Sequence, residues 1–177
     1  TYDADAHHQK AREIAGQCMV LLKNDGNILP LKKDANIAVI GEMAKNPRYQ
    51  GAGSSIVNAI KIDCAYDSIV EKGAKVTYAP GYSTAKKNKV KDEKFIADAV
   101  EAAKGKDAVI LFIGLTEEFE SEGFDRRHIR IPELHTKLID AVKEVNENVV
   151  VAISGGAVIE MPWADKVKGI LNCVLGG

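Results

Sequence analysis

Cysteine, tryptophan, net charge and long apolar runs are all scarce in this chain of 177 residues. Its three cysteines, Cys18, Cys64 and Cys173, are odd in number, widely spaced and form no C-x-x-C. That argues against a disulfide framework and predicts buried, reduced thiols packed as small hydrophobes. No apolar run approaches the roughly 18 residues of a membrane-spanning helix, so no membrane partner is expected. Lys and Arg number 24 against 25 Asp and Glu. Without a general basic field, nucleic acid is not an expected partner either. The first residues, Thr1-Tyr2-Asp3-Ala4-Asp5, carry no start Met, basic region or apolar leader. The compartment stays unassigned, with the cytoplasm favoured. Four histidines are present, and the adjacent His7 and His8 would point in different directions on a helix. No Cys or carboxylate at ligand spacing completes a zinc site, so neither metal nor cofactor is expected.

What the chain does have is 46% hydrophobic residues, enough for a buried core. Five short apolar runs recur: Asn36–Gly41, Lys75–Ala79, Ala108–Ile113, Val149–Ile153 and Gly169–Cys173. Runs of this length without alternation are typical of strands covered on both faces. Helical patterns are predicted at Asp5–Lys23, Ile56–Glu71, Glu93–Lys104 and Pro132–Val145, the last with Pro132 at its first position. Alternation of the two implies a three-layer α/β sandwich on a mostly parallel, doubly wound sheet of five or six strands. Ligands meet such sheets at the carboxyl ends of the strands. The loops to inspect therefore follow Ile40, Ala79, Ile113 and Ile153. The lysine-rich Ser83–Glu93 is most simply a solvated connector.

The loop after the first run contains Gln50-Gly51-Ala52-Gly53-Ser54-Ser55. It lacks the G-x-x-x-x-G-K-[ST] phosphate loop, and its glycines begin too far past the strand. A tight loop packed beside a ligand-facing surface is the better reading. The loop after Ile113 places Glu117, Glu118, Glu120, Glu122 and Asp125 within nine residues. Phe119 and Phe124 interrupt it, and a purely solvated loop has little use for them. Crowded carboxylates beside an apolar wall raise one another's pKa, so one could stay protonated and act as a general acid. Asp125 and Arg126 can pair and shape the loop. An ion pair to Arg126 or Arg127 is the plainer role for Glu122. Farther on, Ser154 lacks a nucleophile elbow, and Trp163 beside Pro162 suits packing better than ligand stacking.

Taken in order, Val20-Leu21-Leu22-Lys23-Asn24-Asp25-Gly26, Leu29-Pro30-Leu31, Ile37–Gly41, Gly51–Ser55, Glu120-Ser121-Glu122-Gly123-Phe124-Asp125-Arg126, Met161-Pro162-Trp163 and Leu175-Gly176-Gly177 resemble one family. This is the second domain of family 3 glycoside hydrolases, the β-glucosidase and β-xylosidase family. The resemblance implies that residues 1–177 are one truncated α/β sandwich domain whose catalytic barrel lies outside the chain. The barrel would supply an aspartate nucleophile, and this domain a glutamate acid/base, for retaining, exo-acting hydrolysis of a β-linked glucoside or related oligosaccharide. Within the acidic loop Glu120 matches the leading glutamate of the family pattern, with Glu122 second and Glu118 fitting some members. Ser54 and Ser55 are implied in substrate binding, and Asp125 and Arg126 in loop shaping. The isolated chain is expected to be inactive. The alternative is a non-catalytic carbohydrate-binding or sensing module; a nucleotide-binding flavodoxin-like module stands third.

Overall fold

A computed structural model describes residues 2–84 and 89–176. Helix α1 (Ala4–Cys18) and strand β1 (Val20–Asn24) open the chain. Strand β2 (Asn36–Ile40), helix α2 (Ala65–Glu71), strand β3 (Lys75–Ala79) and helix α3 (Lys89–Ala103) follow. Strand β4 (Ala108–Gly114), helix α4 (Glu133–Lys143), β5 (Val149–Ser154) and β6 (Gly169–Val174) complete it. The five apolar runs are β2 to β6, and every pairing among them is parallel.

Successive side chains on a strand point to opposite faces, and β2 shows both faces covered. Ile37 and Val39 pack toward Tyr66 and Ile69 of α2. Ala38 and Ile40 join Ala99 of α3 and Leu138, Ile139 and Val142 of α4. That is the expected three-layer sandwich. Complete burial of one such Val, Leu or Ile stabilises the fold by about 1.5–3 kcal/mol, so the central strands anchor everything attached to them.

The spatial order is β1-β6-β5-β4-β2-β3. From β2 the chain steps outward through α2 to β3. It then returns through α3 past β2 to β4 and continues the other way to β5 and β6. The direction reverses between β2 and β4, whose register pairs Ile37 with Ala108 and Ile40 with Leu111. At such a switch point the two carboxyl-end loops diverge and leave a crevice. They are the loops that carry Gly53-Ser54-Ser55 and the acidic cluster.

Several expectations need correction. The helix predicted over Asp5–Lys23 ends at Cys18, and Val20–Asn24 is instead an antiparallel edge strand on β6. Three consecutive apolar residues fit either period, and the free edge of β6 offers their backbone a partner. A bulge between Leu21 and Lys23 interrupts that pairing. The helix predicted from Ile56 begins only at Ala65. The Gln50 side chain accepts from Val57 N and donates to Val57 O, at 2.9 and 3.0 Å. Those bonds occupy the Val57 backbone groups that a helix would use. Pro132 caps α4 and is not its first residue. The thiols are free but not buried: Cys18 is exposed, and Cys64 and Cys173 are half-buried. Cys18 ends a helix with no buried residue, and Cys64 caps α2, its Sγ accepting from Asp67 N. The connector at Ser83–Glu93 lies partly outside the described residues, and from Lys89 it is already α3. No helix among the described residues is long and apolar enough to cross a membrane.

Candidate functional site

The acidic loop leaves β4 through a tight turn in which Phe119 N and Glu120 N both donate to Thr116 O, at 2.9 and 3.0 Å. The two phenylalanines divide the work of the loop. Phe119 is partly buried against the core, which pins the turn, whereas Phe124 is 51% exposed. Beneath the loop, Tyr82 donates from its hydroxyl to Phe112 O at 2.7 Å and accepts from Met43 N at 3.3 Å. Tyr82 thus ties the turn after β2 to β4. Burial drives its phenol pKa well above the ordinary value. His135, fully enclosed, accepts on Nδ1 from Gly114 N at 3.5 Å, with its ring 4.2 Å from that of Tyr82. Burial pushes the imidazole pKa down to about 3.

Two glutamates, two residues apart, are held in opposite ways. Glu120 Oε2 accepts from Gly156 N at 3.1 Å and stands 3.3 Å from Arg48 Nη1. Arg48 also donates from Nη1 to Leu115 O at 2.5 Å and from Nη2 to Glu120 O at 2.8 Å. The two side chains are only 10% and 19% exposed, so water screens this pair little. The guanidinium forks to two backbone carbonyls, and hydrogen bonds from a charged donor of this kind are stronger than neutral ones. Gly156 suits its place, because a Cβ there would stand 2.9 Å from Glu120 Oε1.

Glu122 is exposed. Its Oε2 accepts from Ser54 N at 2.5 Å. Gly53, at φ +83°, forms the floor: a Cβ there would lie 2.5 Å from both Glu122 Cβ and Oε2. The Ser54 hydroxyl and then its N–H hold the Glu122 carboxyl below the usual carboxylate range. The expectation that crowding would raise a pKa in this loop is therefore not met at Glu122. Hydrogen bonds to the charged form outweigh the desolvation that opposes them there. The same contact disposes of the phosphate-loop idea for Ser54, since that N–H already faces a carboxylate. Ser55 turns its hydroxyl to Ala52 O at 3.3 Å. Glu118 lies exposed in the turn before Phe119.

The plainer role for Glu122, an ion pair with Arg126 or Arg127, is replaced by the Ser54 contact. Arg126 bonds to backbone carbonyls and not to Asp125. Its Nη1 donates to Val158 O at 2.7 Å and its Nη2 to Arg130 O at 3.1 Å. Trp163 is fully buried within the core and is a packing residue. Sequence reasoning missed Arg48, Gly156, Tyr82 and His135. Only the place of Arg48, in the loop after a buried strand, could have pointed to it.

The site is an open surface at the carboxyl ends of the strands. A cavity of about 490 Å³ lies at the opposite ends, lined by Ala35, Asp107, Asn148 and Lys168. Those residues immediately precede β2, β4, β5 and β6, so this volume is remote from the carboxylates. Among the described residues no three His, Cys, Asp or Glu side chains cluster for a metal ion.

Comparison with known proteins agrees with this geometry. The family model described as the glycosyl hydrolase family 3 C-terminal domain matches residues 19–177. Thermostable beta-glucosidase B of Acetivibrio thermocellus is 48% identical over 179 residues, covering 99% of this chain and 23% of that protein. The exo-alpha-(1->6)-L-arabinopyranosidase of Bifidobacterium longum is 43% identical over 186 residues, covering 99% and 24%. The crystal structure of the Bifidobacterium adolescentis GH3 beta-glucosidase superposes with a TM-score of 0.93 at 44% identity. It covers 100% of this chain, which in turn spans 26% of that protein. The order of motifs, the six-stranded sheet and the match over 19–177 converge, and the chain belongs to the glycosyl hydrolase family 3 C-terminal domain family.

Proposed function

We propose that residues 1–177 form the acid/base-bearing second domain of a longer, retaining, exo-acting β-glycosidase of β-glucosidase type. The nucleophile belongs to a barrel domain outside this chain. The observation that supports this most is the unequal hold on Glu120 and Glu122. Glu120 is fastened by Arg48 and Gly156, whereas Glu122 stands exposed at the switch point over a glycine floor. The geometry thus favours Glu122 as the proton carrier and gives Glu120, the leading glutamate of the motif, the task of holding the loop.

In a retaining mechanism Glu122 first protonates the leaving glycosidic oxygen. It then accepts a proton from the water that attacks the glycosyl-enzyme, the two carboxyl groups standing about 5–5.5 Å apart. The Ser54 contacts favour the carboxylate form, which suits the second step. The first step needs the protonated form. An opposing carboxylate and the loss of water on domain closure both raise the pKa in that direction. The chain alone therefore lacks both the nucleophile and the closed environment, and is inactive by itself. The contact of Ser54 with Glu122 supports a role for it, with its neighbour Ser55, in binding a β-linked glucoside or related oligosaccharide. The relatives above are named for different sugars although similar to this domain at 48% and 43% identity. That points to sugar choice being made outside it.

The test is made in the full-length enzyme carrying this domain. Glu122→Ala should slow hydrolysis of substrates with poor leaving groups by about 10²–10⁴-fold, and activated aryl glycosides far less. Equal losses on both would remove Glu122 as the acid. The same asymmetry in Glu120→Ala but not in Glu122→Ala would return the role to Glu120. A parent polypeptide without a barrel aspartate would leave a non-catalytic carbohydrate-binding module.

A further inference from the structure

We infer that Arg48 is a positioning residue for proton transfer, which it serves by clamping the acidic loop so that Glu122 stands in one place. This rests on the reading of Glu122 as the acid/base. Three contacts carry it. Arg48 grips the loop at Leu115 O, where it leaves β4, and at Glu120 O, where the turn ends. The same guanidinium pairs with the Glu120 carboxylate at 3.3 Å. Among the described residues no other ion pair reaches Glu120.

The clamp works at short range. Glu122 is two residues past Glu120, and consecutive Cα atoms are about 3.8 Å apart, so the fixed point lies within roughly 8 Å of the Glu122 backbone. Arg48 also stands in the loop that supplies the floor and donor for Glu122, at Gly53 and Ser54. That loop starts with a tight turn of its own, in which Ala44 N donates to Gly41 O and Asn46 N to Glu42 O, at 3.1 and 2.9 Å. The loop after β2 therefore holds the loop after β4 at two points, one on each side of Ser121. The guanidinium reaches the two carbonyls from separate nitrogens, Nη1 and Nη2, whereas the three donors of a lysine ammonium all start from one.

The experiment uses the full-length enzyme and aryl β-glycosides of graded leaving-group ability. Misplacing a catalytic group by about 1 Å can cost 10²-fold. Arg48→Ala should lower kcat on the poor leaving groups about tenfold or more beyond its effect on the activated ones, with KM for the activated substrates little changed. Arg48→Lys should recover only part of that loss, and it serves as the working variant should Arg48→Ala not fold. A uniform loss across all leaving groups, in proportion to folded protein, would reduce Arg48 to a structural residue and overturn the inference. Full recovery by Arg48→Lys would overturn the clamp, because charge alone would then suffice. If Glu122→Ala shows leaving-group dependence and both Arg48 variants show none, this inference falls alone. If Glu122→Ala itself shows none, both readings fall.

Discussion

Gly53 lies directly under Glu122, so close that a methyl group on it would be 2.5 Å from the glutamate's Cβ and Oε2. At φ +83° an alanine would also meet the steric penalty of left-handed backbone, roughly 1–2 kcal/mol. Gly53→Ala should therefore lower the stability of the domain by about that amount and displace the Glu122 side chain from Ser54. Loss of the Glu122–Ser54 contact, with the fold retained, would appear as a chemical-shift change at the Ser54 amide. An unchanged Ser54 amide would show that the floor is not tight.

The hold of Ser54 on Glu122 has a sign that titration can read. The Ser54 hydroxyl and N–H favour the ionised carboxyl, so in the domain alone Glu122 titrates below the ordinary glutamate range. Ser54→Ala removes the hydroxyl and leaves the N–H, so the carboxyl should titrate higher than in the parent and lower than a free glutamate. Carboxyl carbon NMR across the acid range measures both values. A downward shift in the variant would contradict the assignment.

His135 makes stability depend on pH. Its folded pKa, about 3, lies below the ordinary 6.5 because burial disfavours the cation. Between these values the unfolded chain binds a proton that the folded domain does not. Stability is therefore fully present above about pH 6.5 and declines as the pH falls toward 3, by up to about 1.4 kcal/mol per pH unit. Denaturant unfolding of the parent and of His135→Gln at pH 7.5 and 5 isolates the effect. The variant should lose less on acidification, and equal losses would assign the pH dependence to other groups.

Gln50 holds Val57 through both of its backbone groups. Gln50→Leu removes two bonds worth about 1 kcal/mol each. Exchange of the Val57 amide, followed by NMR, should then accelerate by roughly thirtyfold, while amides of β4 and β5 keep their rates. An unaltered Val57 amide would mean that other contacts fix this segment.

These bonds also show why some of the fold was legible in the sequence and some was not. Strands β2, β4 and β5 were readable because side chains such as Val39, Leu111 and Val151 are fully buried, and only two-sided burial demands such unbroken apolar runs. The segment from Ile56 misled because its apolar residues are outside: Ile60 is 82% exposed, so its spacing was never set by a core. Strand β1 was hidden for the same reason, with Val20, Leu21 and Leu22 all about half exposed. The acidic loop announced itself by composition, yet composition could not separate Glu120 from Glu122. That distinction depends on Arg48 and Gly156, which lie 72 and 36 residues from Glu120 in the chain. Nothing in the local pattern around Arg48 encodes such a reach.

Trp163 is the chain's lone tryptophan, and it is fully buried with an indole N–H that meets no hydrogen-bond partner among the described residues. It packs with the core residues of β4, β5 and α4. The domain consequently carries its single indole fluorophore inside the buried core. Its emission should be blue-shifted while the sandwich is intact and move to the red when water enters, giving an optical readout of the core independent of what happens at Glu122.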